Sequence, residues 1–424
     1  MVKKDLQSRL RRLGVVKGAR QLVVPPVSPR EVEEERGEAV PMGQLLPDSR
    51  LVETAVGSFL LREKVYSLTY RHGGEQLGAL LAYEPTAVAW LDFEEEGLSF
   101  TDFVFVDTET TGLAGAGTLA FMVGAGFFEC NQHGEPTAFV VRQYFLRDHG
   151  DEAAMLAALG ALMATKKGVV TFNGRTFDLP LLNSRHLMIG DDFDWLAYPH
   201  IDLLGAARRL WRLRWGSVAL GALEGNVLGV KRTQADVPGA LIPGFYQQFL
   251  RDGNGERLLG VFYHNLEDIL SLVTLAKVVW RQCLAATERD AGEDLVSLAR
   301  WQNQLGLVGE AEGTLHLALM GERPLAVQRL AWEELGYLLK RQERLDEALT
   351  CWQRLAVTSY EDVTAHVELA KYYEWQEKDL ATAKKWTEQA LGLCRWWSGG
   401  KGVTMRDELR YRLARLERKL EGGE

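Results

Sequence analysis

Residues 103–110 read FVFVDTET, a run of four apolar residues followed by acids that alternate with threonines. The apolar run is typical of a strand. Because side chains alternate faces along a strand, Asp107 and Glu109 are predicted to project on the same side and to converge on one point. Adjacent carboxylates repel each other unless a cation lies between them, and such hard oxygen ligands suit Mg²⁺ or Mn²⁺. Taken alone, acids in this position more often mark a turn, so a metal site requires partners elsewhere in the chain.

A second acidic candidate is Asp178, in the segment TFNGRTFDLPLL at residues 171–182. An apolar strand precedes it, and Asn173-Gly174 is typical of a tight turn. A helix is predicted to begin near Thr176, which places Asp178 in its first turn at the edge of the sheet. An acid there also complements the helix dipole, so Asp178 has a structural explanation beside the functional one.

The third candidate segment is YHNLED at residues 263–268, inside a pattern that predicts a long helix. His264 and Asp268 are four residues apart, so they lie one turn apart on the same helix face. This arrangement is also compatible with an exposed, hydrogen-bonded pair that has no catalytic role. Glu267 in the same segment is interpreted as a solvated surface acid.

The rest of the pattern predicts a mixed sheet flanked by helices. Three apolar strands in succession predict an antiparallel meander, and the alternation of helix and strand after them predicts parallel pairing through a crossover. The predicted strands are 103–106, 119–128, 139–145 and 169–172, and the predicted helices are 151–165, 176–187, 203–213, 218–228, 244–251 and 257–280.

Beyond Asp290 strand signals vanish, and amphipathic helices continue to the end of the chain. A faint repeat is present, because Leu335-Gly336 returns as Leu369-Ala370 and Ala356 returns as Ala390, each after 34 residues. That period is the tetratricopeptide one, in which helix pairs bury their faces by stacking on one another. A non-repeating helical bundle is the alternative.

The chain therefore divides into three predicted regions. Residues 1–95 form a partly irregular N-terminal lead-in, in which Pro25, Pro26 and Pro29 break regular structure and short apolar runs after residue 50 predict a few strands. Residues 96–286 form the α/β domain with the three acidic segments, and residues 290–424 form the all-α repeat domain.

Composition narrows the class of protein. With 46% hydrophobic and 25% charged residues among 424, the chain is typical of ordinary globular domains. The net charge of −9 at pH 7 argues against a protein that coats nucleic acid by bulk electrostatics. Four scattered cysteines argue against a disulfide framework or a zinc ribbon. We find no apolar stretch typical of a membrane span or a signal peptide, so a cytoplasmic protein without a membrane partner is expected.

Basic and aromatic side chains are concentrated in the predicted helix 203–213 and just after it. They suit stacking on bases and binding of phosphates, and they are equally compatible with an amphipathic helix that has solvated arginines and buried tryptophans. The residues concerned are Arg208, Arg209, Trp211, Arg212, Arg214 and Trp215.

Together, the three acidic segments resemble the exonuclease motifs of the DEDD superfamily over about residues 100 to 282. Asp107 and Glu109 match the first motif, Asp178 the second and Asp268 the third. The sequence around these motifs is similar to the YprB-like branch of ribonuclease-H-like proteins. The similar segments are Asp202-Leu-Leu, Arg208-Arg-Leu-Trp211, Asp236-Val-Pro-Gly239, Ile242-Pro243 and His264-Asn265.

This resemblance implies a ribonuclease-H-like fold and 3′ to 5′ hydrolysis of a nucleic-acid strand with two Mg²⁺ or Mn²⁺ ions. The ions are expected on Asp107, Glu109, Asp178 and Asp268. His264 is then expected to act as general base or to orient the attacking water. Superfamily members with a histidine usually place it five residues before the last aspartate, where this chain has Tyr263. Helical geometry favours His264, because five residues turn a side chain well away from Asp268.

Two rival hypotheses remain at this stage. One is a catalytically degenerate scaffold that binds nucleic acid or protein, with a protein partner held by the C-terminal repeats. The other is a structure-selective endonuclease on the same fold. Presence of all four carboxylates argues against the scaffold, while the choice between DNA and RNA depends on contacts to the 2′ position that no motif reveals.

Overall fold

The computed structural model describes residues 42–91, 97–112, 117–233, 235–358, 362–398 and 400–422. The proline-containing part of the predicted N-terminal region lies outside these residues. Two architectures follow one another in the described chain: a mixed sheet with helices on both faces, and a run of paired helices.

Within the described residues the main sheet has seven strands in the order β1-β2-β7-β6-β5-β8-β9. Strands β5, β6 and β7 form the predicted antiparallel meander, and β8 and β9 continue the sheet beyond β5 in parallel. The strands are β1 Ser49–Thr54, β2 Gly57–Ser67, β5 Phe103–Thr110, β6 Ala120–Cys130, β7 Pro136–Phe145, β8 Gly168–Thr171 and β9 His200–Asp202, and a separate pair is formed by β3 Arg71–His72 and β4 Glu75–Gln76.

The N-terminal strands correct the predicted domain boundary. Strand β2 pairs with β7 over residues 60–67, so the β1–β2 hairpin extends the same sheet. A boundary at residue 96 therefore separates strands that share one hydrogen-bonded sheet. Strand β9 was not predicted, since three residues are too few to show a periodic pattern.

The six predicted helices follow in the predicted order, and a short helix at Met42–Leu45 was not predicted. The helices are α1 Met42–Leu45, α2 Glu152–Met163, α3 Asp178–Met188, α4 Leu203–Trp215, α5 Leu220–Leu223, α6 Ile242–Asp252 and α7 Leu258–Leu284, and a π-helical turn at Glu224–Leu228 follows α5.

Strand β5 is buried on both faces, which explains its continuous apolar run. Val104 and Val106 belong to the core shared with α2, α3 and α6, whereas Phe103 and Phe105 belong to the core shared with α4 and α7. The alternation continues beyond Val106, so Asp107 lies on the face of the sheet that packs against α7, and Thr108 lies on the face that packs against α3.

The C-terminal region consists of helical hairpins. Consecutive helices pack against each other along the whole run. Leu335 in α10 and Leu369 in α12 are both buried, as are Ala356 in α11 and Ala390 in α13. The helices are α8 Gly292–Gln304, α9 Val308–Leu319, α10 Leu325–Arg341, α11 Leu345–Thr358, α12 Thr364–Trp375, α13 Leu380–Leu393 and α14 Gly400–Gly422.

Helix α8 belongs to both architectures. Its Leu298 and Trp301 pack into the core of the sheet region, while Leu295 and Val296 pack into the core of the helical hairpins. Arg214 in α4 also donates to Asp294 at 3.1 Å between Nη1 and Oδ2. The helical region is thus joined to the sheet region through a shared hydrophobic helix.

Helix α7 is long and apolar enough to pass a test for a membrane span, alone among the helices described. However, 67% of its most apolar stretch is buried within the protein. Its hydrophobicity is explained by its position in the core, where it covers the sheet.

A chain shortened after Asp290 is expected to be less stable than one shortened after Gly321, by about 3 kcal/mol or more. The first lacks Leu298 and Trp301, and their loss exposes Trp90 and Trp280 in the sheet region. Urea unfolding of both chains measures the difference. Equal stabilities would show that α8 contributes nothing to the sheet region.

Candidate active site

Asp107 is held by Asn265 of helix α7. The Asn265 amide nitrogen Nδ2 donates to Asp107 Oδ2 at 2.9 Å and lies 3.4 Å from the Asp107 carbonyl oxygen. Gly124 on the neighbouring strand β6 makes room for this contact, since a Cβ atom there would lie 2.4 Å from Asn265 Oδ1. A glycine opposite Asp107 therefore lets a helix side chain approach the strand closely.

A buried hydrogen-bond chain orients Asn265 in turn. Gln143 Nε2 donates to Asn265 Oδ1 at 3.0 Å and to the carbonyl oxygen of Phe262 at 2.7 Å. Arg62 Nη1 donates to Gln143 Oε1 at 3.3 Å. Because Gln143 fixes which amide end of Asn265 accepts, the Asn265 nitrogen is left to face Asp107.

Asp178 is positioned by the turn that precedes helix α3. Asn173 adopts a left-handed conformation with φ of 72°, as its place in a tight turn requires. Asp202, at the end of β9, accepts from the backbone nitrogens of Asn173 at 2.8 Å and Arg175 at 3.2 Å. Helix α3 begins at Asp178, and Thr108 Oγ1 donates to Asp178 Oδ1. Strand β5 thus contacts both α7 and α3 through successive residues.

His264 and Asp268 lie one turn apart on α7, with His264 Nε2 3.5 Å from Asp268 Oδ2. The other ring nitrogen, Nδ1, lies 2.7 Å from Asp236 Oδ1. Tyr263 points elsewhere, since its hydroxyl oxygen accepts from the backbone nitrogen of Thr233 at 3.0 Å. Of the two candidates for the base, only His264 contacts Asp268 in this structure.

Burial, followed by repulsion from neighbouring acids, raises the pKa values of the four candidate carboxylates. Burial, and then Asp268, Glu109 and Asp178, hold the pKa of Asp107 well above its usual range. Burial, followed by Asp268 and Asp178, raises the pKa of Glu109 to about 8. Burial also raises the pKa of Asp178 to about 6, against the hydrogen bond from Thr108. The structure therefore brings the four acids close enough to interact.

Asp268 differs from the other acids because a basic side chain, that of Arg232, lies beside it. Burial raises its pKa, while Arg232 and His264 oppose that rise. Arg232 Nη2 donates to Asp268 Oδ1, and the same guanidinium donates to Glu224 and Asp236. Arg232 partly offsets the negative charge at this side of the site.

The donor set fits a divalent cation in chemistry, because buried carboxylates with raised pKa values lack compensating charge. Among the described residues, however, no three His, Cys, Asp or Glu side chains stand together as a ready ligand set. Protein donors engage three of the acids: Asn265 holds Asp107, Thr108 holds Asp178 and Arg232 holds Asp268. A cation at Asp268 Oδ1 would compete with Arg232 for that oxygen.

Several residues of the site were not among the predicted ones. Asn265 and Asp236 stand in the segments that carry the family resemblance, yet sequence alone assigned them no role. Glu224 lies within the predicted helix 218–228 and Arg232 in the irregular stretch after it, and no motif marked either residue. His72, which precedes Gly73 and Gly74, is buried, and its Nε2 lies 2.8 Å from Ser271 Oγ.

The basic helix α4 contributes less to a binding surface than its composition suggested. Trp211 is buried and donates to Gln282 at 3.0 Å, and the Arg209 guanidinium lies over the Trp301 ring. Arg214 is paired with Asp294. Trp211 thus joins α4 to α7, and Arg209 and Arg214 attach helix α8 to the sheet region. Arg208 and Arg212 are exposed.

Neutralising Glu109 is expected to weaken the pH dependence of stability in metal-free protein. The folded-state pKa of Glu109 is raised to about 8, so between its ordinary value of 4.5 and pH 8 the folded state binds more protons than the unfolded state. Raising pH through this window therefore lowers the free energy of unfolding. In EDTA, the free energy of unfolding measured with urea should fall between pH 5.5 and pH 8.5. That fall should be smaller in Glu109→Gln than in the unsubstituted protein by about 1 kcal/mol or more.

Added Mg²⁺ should restore the stability of the unsubstituted protein at the higher pH and affect Glu109→Gln less. Glu374→Gln is the control, because Glu374 lies outside the site and its cationic partners lower its pKa. Identical pH dependence in the original protein and Glu109→Gln would mean that Glu109 carries no uncompensated charge.

Comparison with known proteins agrees with this architecture. Residues 104–280 match a family described as part of the RNase H superfamily. The chain is also 32% identical over 379 residues to uncharacterized protein YprB of Bacillus subtilis (strain 168), an alignment that covers 85% of this chain and 86% of that protein. The matched family segment begins within β5 and ends within α7, so it includes every predicted site residue.

Proposed function

This chain belongs to the family of YprB, and its sheet region is a ribonuclease H superfamily domain; from this premise we propose that it is a 3′ to 5′ exonuclease that depends on divalent cations. Membership of the superfamily supports a nuclease that acts on nucleic acid. The direction of hydrolysis and the use of two ions go beyond superfamily membership and belong to the proposal alone.

The observation that carries the proposal is the group of interacting carboxylates at the end of β5. Asp107, Glu109, Asp178 and Asp268 come from a strand and two helices, and each has a raised pKa that burial causes in the first place. Burying such a group is costly for stability, and a site for cations explains it. The four residues would hold two Mg²⁺ or Mn²⁺ ions, which when bound supply positive charge at the reacting phosphate and acidify the attacking water.

The protein's own groups have distinct roles in this proposal. His264 accepts a proton from the attacking water or orients that water, with Asp236 holding the far side of its ring. Asn265 positions Asp107, and Thr108 positions Asp178. The phosphodiester bond breaks at the 3′ oxygen of the leaving strand, and a terminal nucleotide with a 5′ phosphate is released.

A cleft beside the Asp178 turn supports binding of a strand. It has a volume of about 560 Å³ and is lined by Trp90, Arg175, Tyr198 and His200, among others. Aromatic rings suit stacking on bases without sequence preference, and Arg175 offers a positive charge for a phosphate. Burial lowers the pKa of His200 to about 4, so its ring is neutral near pH 7.

The test uses the purified protein with single- and double-stranded DNA and RNA, each labelled at the 5′ or the 3′ end, in Mg²⁺, Mn²⁺ or EDTA. A 3′ to 5′ exonuclease shortens 5′-labelled strands in single-nucleotide steps and releases the 3′ label first. Circular single strands have no end, so their cleavage would indicate an endonuclease instead. Lack of hydrolysis of every substrate in either ion would favour a binding scaffold.

The helical hairpins after α7 are proposed to be tetratricopeptide-like and to hold a protein partner or a long strand. Equivalent buried positions recur in successive hairpins at the predicted spacing, as Leu335 and Leu369 illustrate. Stacked helix pairs usually present an extended binding surface rather than chemistry. A chain that ends after Gly321 should therefore retain hydrolysis of short strands and lose the partner.

A further inference from the structure

Arg232 has two different environments on the two edges of its guanidinium group. Its side chain is 13% exposed and lies between Glu224 and helix α7. On one edge, Nε and Nη2 donate to the two Glu224 carboxylate oxygens at 2.7 and 2.6 Å. This two-pronged pairing matches the planar shapes of the groups and fixes the orientation of the guanidinium.

The Glu224 edge is anchored in the interior of the protein. Glu224 is 2% exposed, and Ser271 Oγ donates to its Oε1 at 2.7 Å. His72 Nε2 lies 2.8 Å from the same Ser271 oxygen, which ties the anchor to strand β3. Separating a buried carboxylate from its cation is costly, so this edge stays on Glu224 whatever binds in the site.

The second edge faces the site, and its contacts compete with one another. Arg232 Nη1 lies 3.2 Å from Asp236 Oδ1 and 2.9 Å from His264 Nδ1. His264 Nδ1 is itself 2.7 Å from Asp236 Oδ1. A ring nitrogen carries either a proton or a lone pair, so Nδ1 cannot donate to Asp236 and accept from Arg232 at the same time. An additional acceptor can therefore replace one of these contacts at little cost.

We propose that Arg232 binds a phosphate of the nucleic-acid strand through this second edge. The inference rests on the proposed function, because divalent cations at Asp268 compete with the guanidinium for that carboxylate and free its N–H groups. Arginine suits phosphate oxygens in geometry and charge. Since Glu224 already holds the side chain in place, little conformational entropy is lost when the phosphate binds.

The test measures strand binding rather than turnover. In an Asp178→Asn background the strand stays intact, and fluorescence anisotropy with short, labelled single-stranded DNA and RNA in Mg²⁺ gives Kd at several salt concentrations. Arg232→Ala alone would leave Glu224 buried without a cation and destabilise the fold. The test variant is therefore Arg232→Met combined with Glu224→Gln, which removes both charges and keeps the volume.

A matched control is available on helix α3. Arg185 and Glu152 form a similar two-pronged pair, with Arg185 Nε and Nη2 each 2.5 Å from a Glu152 oxygen. Arg185 lies about two helical turns beyond Asp178, and Glu152 is the first residue of α2. Arg185→Met combined with Glu152→Gln removes the same charges from a place that the proposal does not involve.

The Arg232 variant should raise Kd by roughly 10-fold or more, as loss of one charged hydrogen-bond partner does. The slope of log Kd against log salt should fall by about 0.7, the contribution of one phosphate contact on a single strand. The control pair should change neither quantity. A purely structural role for Arg232 would not alter the salt slope.

An unchanged slope in a folded Arg232 variant would overturn the inference and leave the proposed function standing. If the protein with Arg232 intact binds neither DNA nor RNA, the proposed function itself fails, and this inference fails with it. Should the double variant not fold, Arg232→Lys replaces it. Lysine has one nitrogen at its end, so a lysine paired with buried Glu224 has no second nitrogen to direct at the strand as Arg232 Nη1 does. The same fall in slope is therefore expected, and its absence overturns the inference.

Discussion

Replacing any one of Asp107, Glu109, Asp178 and Asp268 with its amide is expected to lower turnover by roughly 10³-fold or more, because each removes a charge that the cations require. The folded protein should tolerate the change. Burial disfavours the ionised forms of Asp107, Glu109 and Asp178 and raises their pKa values, so a neutral amide removes that cost in metal-free protein. An amide at Asp268 leaves Arg232 paired with Glu224 and Asp236. Measurement combines single-turnover hydrolysis in Mg²⁺ with thermal melts in EDTA.

Glu374 offers the matched control, because it is a buried carboxylate whose negative charge is compensated by basic side chains. Its side chain is 0% exposed and accepts from Arg412, Arg415 and Lys419 at 2.9, 2.6 and 3.0 Å. Glu374→Gln should lower the melting temperature and leave hydrolysis of short strands unchanged. If two of the four site variants keep near-normal turnover, the assignment of the metal site is wrong.

His264→Ala is expected to reduce turnover by roughly 10² to 10⁴-fold with little change in the affinity for Mg²⁺ or the strand, as loss of a positioned base does. Its ring lies between Asp236 and Asp268 and faces the acids, with Nε2 3.5 Å from Asp268 Oδ2. Single-turnover rates at saturating Mg²⁺, together with strand Kd, separate a loss of chemistry from a loss of binding.

Tyr263→Phe is the comparison for this experiment. The Tyr263 hydroxyl oxygen accepts from the backbone of Thr233 and makes no contact with Asp268 in this structure, so its removal should leave turnover nearly unchanged. If Tyr263→Phe loses turnover and His264→Ala keeps it, the residue five positions before Asp268 carries the chemistry.

The buried polar groups of α7 give this helix a function that its hydrophobicity conceals. Asn265 and Ser271 are both 0% exposed, and both use their side chains to hold other residues of the site. A helix that only filled the core would have no need of these groups. The same element therefore supplies the hydrophobic core and the orientation of the acids.

Local sequence was sufficient for the features that depend on short-range geometry. The period of a strand places Asp107 and Glu109 on one side of β5, and the period of a helix places His264 and Asp268 on one face of α7. The meander and the change from strands to successive helices follow from runs of similar residues. These features could be predicted because neighbouring residues carry the whole signal.

Only the tertiary structure decided which distant residues meet. Arg232 lies 36 residues from Asp268 in sequence and has no periodic pattern around it, yet its guanidinium occupies the carboxylate that a cation would need. The β1–β2 hairpin joins the sheet edge through pairing with β7, and α8 is shared by two cores. Such contacts depend on how packed elements bring together parts of the chain that no local propensity connects.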